Sequence, residues 1–180
     1  MWWQALLLLV GFLGILLALM FSLASSSLKR LHMMMEKSYE NLDTYLLQRY
    51  EMTKDLLELG KEAAPQECKA AEKVILNQGA PSNVPQERAK SEGKLANATT
   101  RLIVVLEPRL KEEEQFQTLK ELLEDNEEDV YQAKKYYNQV VKHYNNKIRT
   151  FPSRIIAAIK KYKKAPYYDM EDPDKNRKKR

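Results

Sequence analysis

Turn-forming residues are scarce in this chain, which has only 5 glycines and 7 prolines in 180 residues. A many-stranded β-fold needs a turn every few residues, so this composition argues against one. Cys68 is the single cysteine, and an internal disulfide is therefore impossible. A lone thiol fits a reducing compartment. The chain is predicted to be all-α, with one domain beyond its N-terminal segment.

Recognisable catalytic chemistry is also missing from the sequence. Only His32 and His143 could act as a base toward the thiol, and their spacing matches no nucleophile–base pattern. No Glu-x-x-His pair, zinc-ligand spacing or phosphate-binding glycine loop occurs. The acidic runs at 112–114 and 124–129 are more typical of a solvated helix face, with divalent-cation binding as the lesser alternative. We predict no catalytic residue, no metal and no cofactor.

A long uncharged run is what the N-terminus does have. Residues 5–24 carry no charge, and a helix of that length spans ~30 Å, the thickness of the bilayer's hydrocarbon core. Trp2 and Trp3 precede the run, while Lys29 and Arg30 follow it. Indole rings and cations both favour the membrane interface. Residues 1–28 are therefore predicted to be a membrane anchor in contact with the lipid bilayer.

The alternative for this run is a cleaved signal peptide, because the sequence before Ser25 resembles a cleavage site. Residues 1–4 lack the basic charge of a secretory n-region, however, and the apolar run is longer than usual. The cations that follow the run predict an N-terminus outside and residues 29–180 in the cytoplasm of a single-pass cell-membrane protein.

The rest of the chain reads as helices separated by short breaks. Helices are predicted at about 29–78, 86–107, 112–151 and 153–162, with a loop at 79–85 and a basic disordered tail at 169–180. Pro65 either kinks the first of these helices or reverses the chain, and a kinked continuation is favoured. Pro108 is expected to end or bend the second helix. This arrangement predicts an N-terminal transmembrane helix that continues into an up-and-down antiparallel bundle of three long helices and a short fourth, with the bundle spanning residues 29–168.

The third helix has the clearest pattern, with core-forming residues at alternating steps of three and four. They are Phe116, Leu119, Leu123, Asn126, Val130, Ala133, Tyr137, Val140 and Tyr144. Asn126 is the polar member, and it either fixes the register of a buried seam or is solvated at an end of the bundle.

A repeated tyrosine–asparagine pair falls on this helix, at Tyr137-Asn138 and Tyr144-Asn145. Phe151-Pro152 follows seven residues after Tyr144. The stretch closely resembles the C-terminal signature of the LemA family, and the similarity extends over nearly the whole chain. The resemblance implies a bacterial, single-pass, all-helical membrane protein with no established catalytic activity.

Two positions depart from the pattern of that family. Thr53-Lys54 stands where an isoleucine–proline pair is usual, and Lys161-Tyr162 stands where a glycine–phenylalanine pair is usual after the last helix. From the residues alone, packing is the leading explanation of the tyrosine–asparagine pairs, because buried polar groups are normally satisfied within the structure. An interaction face formed by these pairs and by Phe151-Pro152 is the alternative.

The basic end allows three interpretations. Arg154 and the lysines flank Ile155, Ile156 and Ile159, and such a segment can bind anionic lipid. The cationic residues in question are Lys160, Lys161, Lys163 and Lys164. The favoured topology instead places the three isoleucines at the end of the bundle far from the membrane. Nucleic-acid binding is not expected, because base-stacking aromatics are not interleaved with the basic residues.

Taken together, these patterns predict a non-catalytic, membrane-anchored helical scaffold or adaptor. Its partner is predicted to be another membrane or membrane-associated protein, or a second copy of the chain. The alternative is a self-associating protein that organises membranes through its basic end.

Overall fold

The computed structural model describes residues 2–76 and 84–168. Helices make up 86% of these residues, and no strand occurs among them. The predicted tail at 169–180 and most of the predicted loop at 79–85 lie outside the described residues. The all-α prediction is confirmed.

Five helices follow one another along the chain. They are α1 at Trp2–Gly60, α2 at Pro65–Leu76, α3 at Pro85–Leu110, α4 at Glu114–Lys147 and α5 at Ser153–Ile159. The apolar run and the amphipathic sequence after it thus belong to one helix of 59 residues. Apolar side chains such as Leu8 and Leu19 are exposed in its first part. In the described part of the chain, α1 alone is long and apolar enough to cross a membrane.

The predicted continuation of the first helix to residue 78 is wrong. The helix ends at Gly60, and a turn separates it from α2, which begins at Pro65. Proline suits the first position of a helix because its missing N–H has no intrahelical partner there. Gly60 also allows α3 to approach closely, since a Cβ atom at this position would lie 2.8 Å from Leu106 Cδ1.

Three other boundaries differ from the sequence prediction. Pro108 lies inside α3, which continues to Leu110. α4 ends at Lys147, so residues 148–151 are not part of it. α5 ends at Ile159 rather than at residue 162. Prolines restrict the residues next to them, but they do not fix the last turn of a helix.

The chain divides into two compact units, which we call the first unit (Met1–Lys37 and Gln139–Ala165) and the second unit (Ser38–Asn138 and Pro166–Arg180). In the first unit, Leu28, Val141 and Tyr144 are fully buried. The second unit contains a larger core built from α1, α2, α3 and α4, which includes Leu56, Leu102 and Phe116. Burial of such apolar surface is the main force that stabilises each unit.

The seam predicted for α4 lies on its buried side. Eight of its nine members are buried, and Leu119 is partly buried. Asn126 is 4% exposed, and its Nδ2 donates to the Tyr45 carbonyl at 3.0 Å. Of the two possibilities for Asn126, the structure shows the buried one. A hydrogen bond to a single carbonyl can fix the register of α4 against α1, because any axial shift would break it.

Candidate functional site: the asparagine clamps

The tyrosine–asparagine pairs of α4 bind the extended segment that follows α5. Tyr137, Tyr144 and Asn145 are at most 3% exposed, and Asn138 is 9% exposed. The sequence allows two interpretations of these side chains, packing or an interaction face. The structure places all four against residues 163–168 of the same chain.

Asn145 forms a two-bond clamp in the first unit. Its Nδ2 donates to the Ala165 carbonyl at 2.9 Å, and its Oδ1 accepts from the Ala165 N–H at 2.8 Å. Tyr144 completes this contact, because its hydroxyl donates to the Lys163 carbonyl at 3.1 Å. The asparagine side chain therefore pairs with the peptide groups of one residue, as a residue of an adjacent β-strand would.

Asn138 repeats the arrangement in the second unit. Its Nδ2 donates to the Tyr168 carbonyl at 3.0 Å, and its Oδ1 accepts from the Tyr168 N–H at 2.8 Å. The Tyr137 hydroxyl donates to the Pro166 carbonyl at 3.0 Å. In each clamp the tyrosine binds the carbonyl two residues before the one that the asparagine pairs with.

The spacing of the repeat has a simple geometric reason. Asn138 and Asn145 are seven residues apart on a helix, and their partners Tyr168 and Ala165 are three residues apart in an extended segment. Seven helical residues rise ~10.5 Å, and three extended residues span ~10 Å. The later asparagine binds the earlier partner. Pro166 favours an extended conformation at Ala165, which suits this contact.

Both tyrosine hydroxyls are held in their protonated, donating form. Burial raises the pKa of Tyr137 far above its ordinary value, and the nearby Tyr39 adds to this effect. Burial also raises the pKa of Tyr144, with smaller contributions from Tyr162 and Glu36. A phenol that must remain a donor over the whole physiological range acts as a structural group and not as an acid.

The other two residues of the motif lie after α4. The Phe151 ring is 67% exposed and meets the edge of Phe21 with 6.1 Å between ring centroids. Pro152 is half-buried and precedes α5, and its peptide bond to Phe151 is cis. Ser153, the first residue of α5, is buried.

The expectation that α5 closes the end far from the apolar run is wrong. Within the first unit, the Lys160 Nζ donates to the Ser25 Oγ at 3.2 Å, and Ser25 directly follows the apolar run. The three isoleucines also do not form one buried apolar face. Ile156 is buried, while Ile155 and Ile159 are 43% and 75% exposed.

The residues predicted to lie at the membrane interface are all exposed. Trp2 is 82% exposed and Trp3 is 56% exposed. Lys29 and Arg30 are exposed, and so are all four lysines of the basic end.

Lys161 explains one departure from the family pattern. Its φ is +56°, which is the left-handed region. Two backbone bonds close the end of α5 around it, Tyr162 N–H to the Ala157 carbonyl at 2.9 Å and Lys161 N–H to the Ala158 carbonyl at 3.3 Å. This is a Schellman motif, in which glycine is preferred at the position that Lys161 occupies.

Thr53 occupies the other departing position and is fully buried. Its hydroxyl oxygen lies 2.9 Å from that of Thr99 on α3. The usual isoleucine would place an apolar side chain here, so this chain has a polar contact between two helices where packing is expected.

His32 is surrounded by aromatic rings in the first unit. It stacks on Tyr162 with 4.9 Å between centroids and meets Tyr144 edge-on at 5.7 Å. Its Nδ1 lies 3.4 Å from the Glu36 carboxylate. From the sequence, His32 was a candidate catalytic base only, and its packing against these rings was not predicted.

Sequence reasoning also missed a buried group of charges in the second unit. Arg88 Nη2 lies 3.0 Å from Asp43 Oδ1, and its Nε lies 3.3 Å from Glu92 Oε1. Burial raises the pKa of Glu92, although the guanidinium groups of Arg88 and Arg49 oppose this effect. A usable signal existed, because Arg88 and Glu92 continue the spacing of the buried Leu95, Thr99, Leu102 and Leu106.

Groups suited to metal or covalent chemistry do not converge in the described residues. No cluster of three or more His, Cys, Asp or Glu side chains that could hold a metal ion occurs there. Cys68 is 4% exposed, and burial raises the pKa of its thiol. A protonated thiol inside a core is a poor nucleophile.

A comparison with models of protein families identifies the family of this chain. The model of the LemA family matches residues 38–179, which is most of the chain and includes both clamps. The apolar run precedes the matched region. A search of curated proteins returned no match. The sequence signature and this match agree: the chain belongs to the LemA family.

Proposed function

We propose that the protein is a membrane-anchored helical scaffold or adaptor without catalytic activity. The observation that carries this proposal is the continuity of α1. Its exposed apolar part and its packed part form one helix of 59 residues. Such a helix joins a bilayer to a folded body without a flexible linker, which suits a protein that holds a partner at the membrane.

The use of the motif residues supports a structural role for them. The side-chain amides of Asn138 and Asn145 form hydrogen bonds with the chain's own backbone. We propose that the partner surface is formed by exposed positions beside them, such as Gln139 and Lys142. The partner is another membrane-associated protein or a second copy of the chain. The proposed orientation places the N-terminus outside and the folded body in the cytoplasm.

Photo-crosslinking in intact cells tests the proposal. A photoreactive residue replaces Gln139 or Lys142, and the products are identified by mass spectrometry. Lys94, which is exposed on α3, is the matched control position. One reproducible foreign protein, captured from 139 and 142 but not from 94, would support an adaptor. Products containing only this chain would favour self-association.

Two further measurements test the other parts of the proposal. Extraction of cell membranes at alkaline pH should leave the full chain in the membrane pellet and release a variant that lacks residues 2–24. Release of the full chain would contradict the anchor. A turnover that Cys68→Ala or His143→Ala abolishes would contradict the absence of catalysis.

A further inference from the structure

A mixed apolar and basic surface lies beside the end of the apolar run in the first unit. We call it the α5 patch. It consists of Phe151, Arg154, Ile155, Ile159, Lys160, Lys161, Lys163 and Lys164, and all eight side chains are exposed.

Two contacts set the position of the α5 patch along the axis of α1. Phe151 meets Phe21, which lies inside the apolar run, and Lys160 bonds Ser25, which lies just after it. These two positions on α1 are ~6 Å apart along the helix axis. The aromatic side chain therefore lies at the level of the last apolar turn, and the lysine lies at the level of the first polar residue.

The α5 patch combines apolar and basic side chains, as a surface at a membrane interface requires. Ile159 is 75% exposed and Phe151 is 67% exposed, and exposed large apolar side chains of this kind mark an interaction surface. The basic residues of the patch lie next to them in sequence, and Lys29 and Arg30 add charge just after Ser25. An apolar tip with a basic rim fits acyl chains below anionic headgroups.

We propose that the α5 patch binds the bilayer around α1, with Phe151, Ile155 and Ile159 inserted at the interface and the cationic side chains against anionic headgroups. This inference rests on the anchor proposed above and names anionic lipid as a second partner. The protein would then be held to its membrane at two points, which limits the tilt of α1.

Fluorescence quenching in vesicles tests this proposal on the full chain. An NBD fluorophore is attached to a single cysteine at position 159, in a Cys68→Ala background. The vesicles contain phosphatidylcholine with or without phosphatidylglycerol, and nitroxide groups on the acyl chains act as quenchers. Position 13, inside the apolar run, reports the anchor. Val104, an exposed apolar residue of α3, is the matched control.

We expect a blue-shifted and quenched emission at 159, with greater quenching in anionic vesicles than in neutral ones. Position 13 should be quenched equally in both vesicle types, and position 104 in neither. The anionic dependence should fall when salt is raised from 0.1 to 1 M, because the Debye length falls from ~10 to ~3 Å. It should also be lost in the variant K160Q/K161Q/K163Q/K164Q.

The variant K69Q/K73Q/K90Q/K94Q removes the same charge from exposed positions of the second unit and should retain the dependence. Quenching at 13 without quenching at 159 would overturn the α5 patch and leave the anchor standing. Absence of quenching at both positions would refute the anchor itself. A blue shift at 159 that depends on protein concentration, without lipid quenching, would assign the patch to a second copy of the chain and refute the lipid contact.

Discussion

Replacing Asn145 by alanine should release the extended segment from α4 while the helices remain folded. The side chain is 1% exposed and makes two hydrogen bonds to Ala165, which is itself 8% exposed. Each bond contributes ~1 kcal/mol net, and the deleted side chain leaves unfilled space. The free energy that holds the segment should therefore fall by ~2–4 kcal/mol.

Amide hydrogen exchange of Ala165 measures the local opening of the docked segment. Asn145→Ala also deletes the acceptor of the Ala165 N–H, so the decisive comparison is with Asn145→Asp, which keeps an acceptor oxygen. A loss of that size corresponds to a fall in protection of between ~30-fold and ~1,000-fold. The measurement uses NMR of the full chain in micelles, with circular dichroism to show that helix content is unchanged.

The chain supplies its own controls for this experiment. Asn146→Ala alters the exposed neighbour of Asn145 and should leave Ala165 protected. Asn145→Asp keeps an acceptor for the Ala165 N–H but has no donor for its carbonyl, and it should also release the segment. Asn138→Ala should lower the protection of Tyr168 instead. Unchanged protection of Ala165 in a folded Asn145→Ala variant would refute the clamp as the force that holds the segment.

Three more predictions concern other residues. Thr53→Val should lower the unfolding free energy by ~1 kcal/mol, because it removes the contact with the Thr99 hydroxyl. Thr99→Val should cost less in the Thr53→Val background than in the parent chain, because that contact is already lost and the Thr99 hydroxyl then bonds only the Leu95 carbonyl. A denaturant-based double-mutant cycle measures this, and additive losses would contradict it. Lys161→Gly should raise the melting temperature, because glycine adopts the left-handed backbone conformation without a strain of ~1 kcal/mol. Lys161→Ala should not raise it. Equal melting temperatures of the two variants would argue against backbone strain at this position. The raised pKa of Glu92 means that the folded chain holds this proton more tightly than the unfolded chain. Stability should thus fall as pH rises from the ordinary glutamate pKa to the raised one. Glu92→Gln should remove this pH dependence of the unfolding free energy, while Glu62→Gln, at an exposed position, should leave it unchanged. If Glu92→Gln leaves the pH dependence unchanged, another group causes it.

Periodicity predicted the helical part of this structure well, and the reason is physical. The seam of α4 repeats at the spacing that brings side chains to one face of a helix, and its members are buried. The continuity of α1 follows equally from the absence of a breaker between residues 2 and 59. Both are local properties of the chain.

The positions that the sequence did not predict depend on contacts distant in the chain. Ile155, Ile156 and Ile159 form an apolar group in the sequence, but only the packing of α5 decides that Ile156 is buried and the others are exposed. The partners of Asn138 and Asn145 lie in an extended segment, which has no helical period to reveal it. Arg88 and Glu92 follow a buried spacing, yet their charge argued for a solvated face.

The way the clamps bind has a consequence for how this region can evolve. Asn138 and Asn145 recognise only peptide groups, so side chains at Lys163 and Lys164 can change without loss of a hydrogen bond from the clamps. An insertion or deletion between Ala165 and Tyr168 is different, because it would move one clamp out of step with the other. Sequences that share this arrangement should therefore vary in identity at positions 163 and 164, while the buried positions 165, 167 and 168 and the length of the segment stay constant.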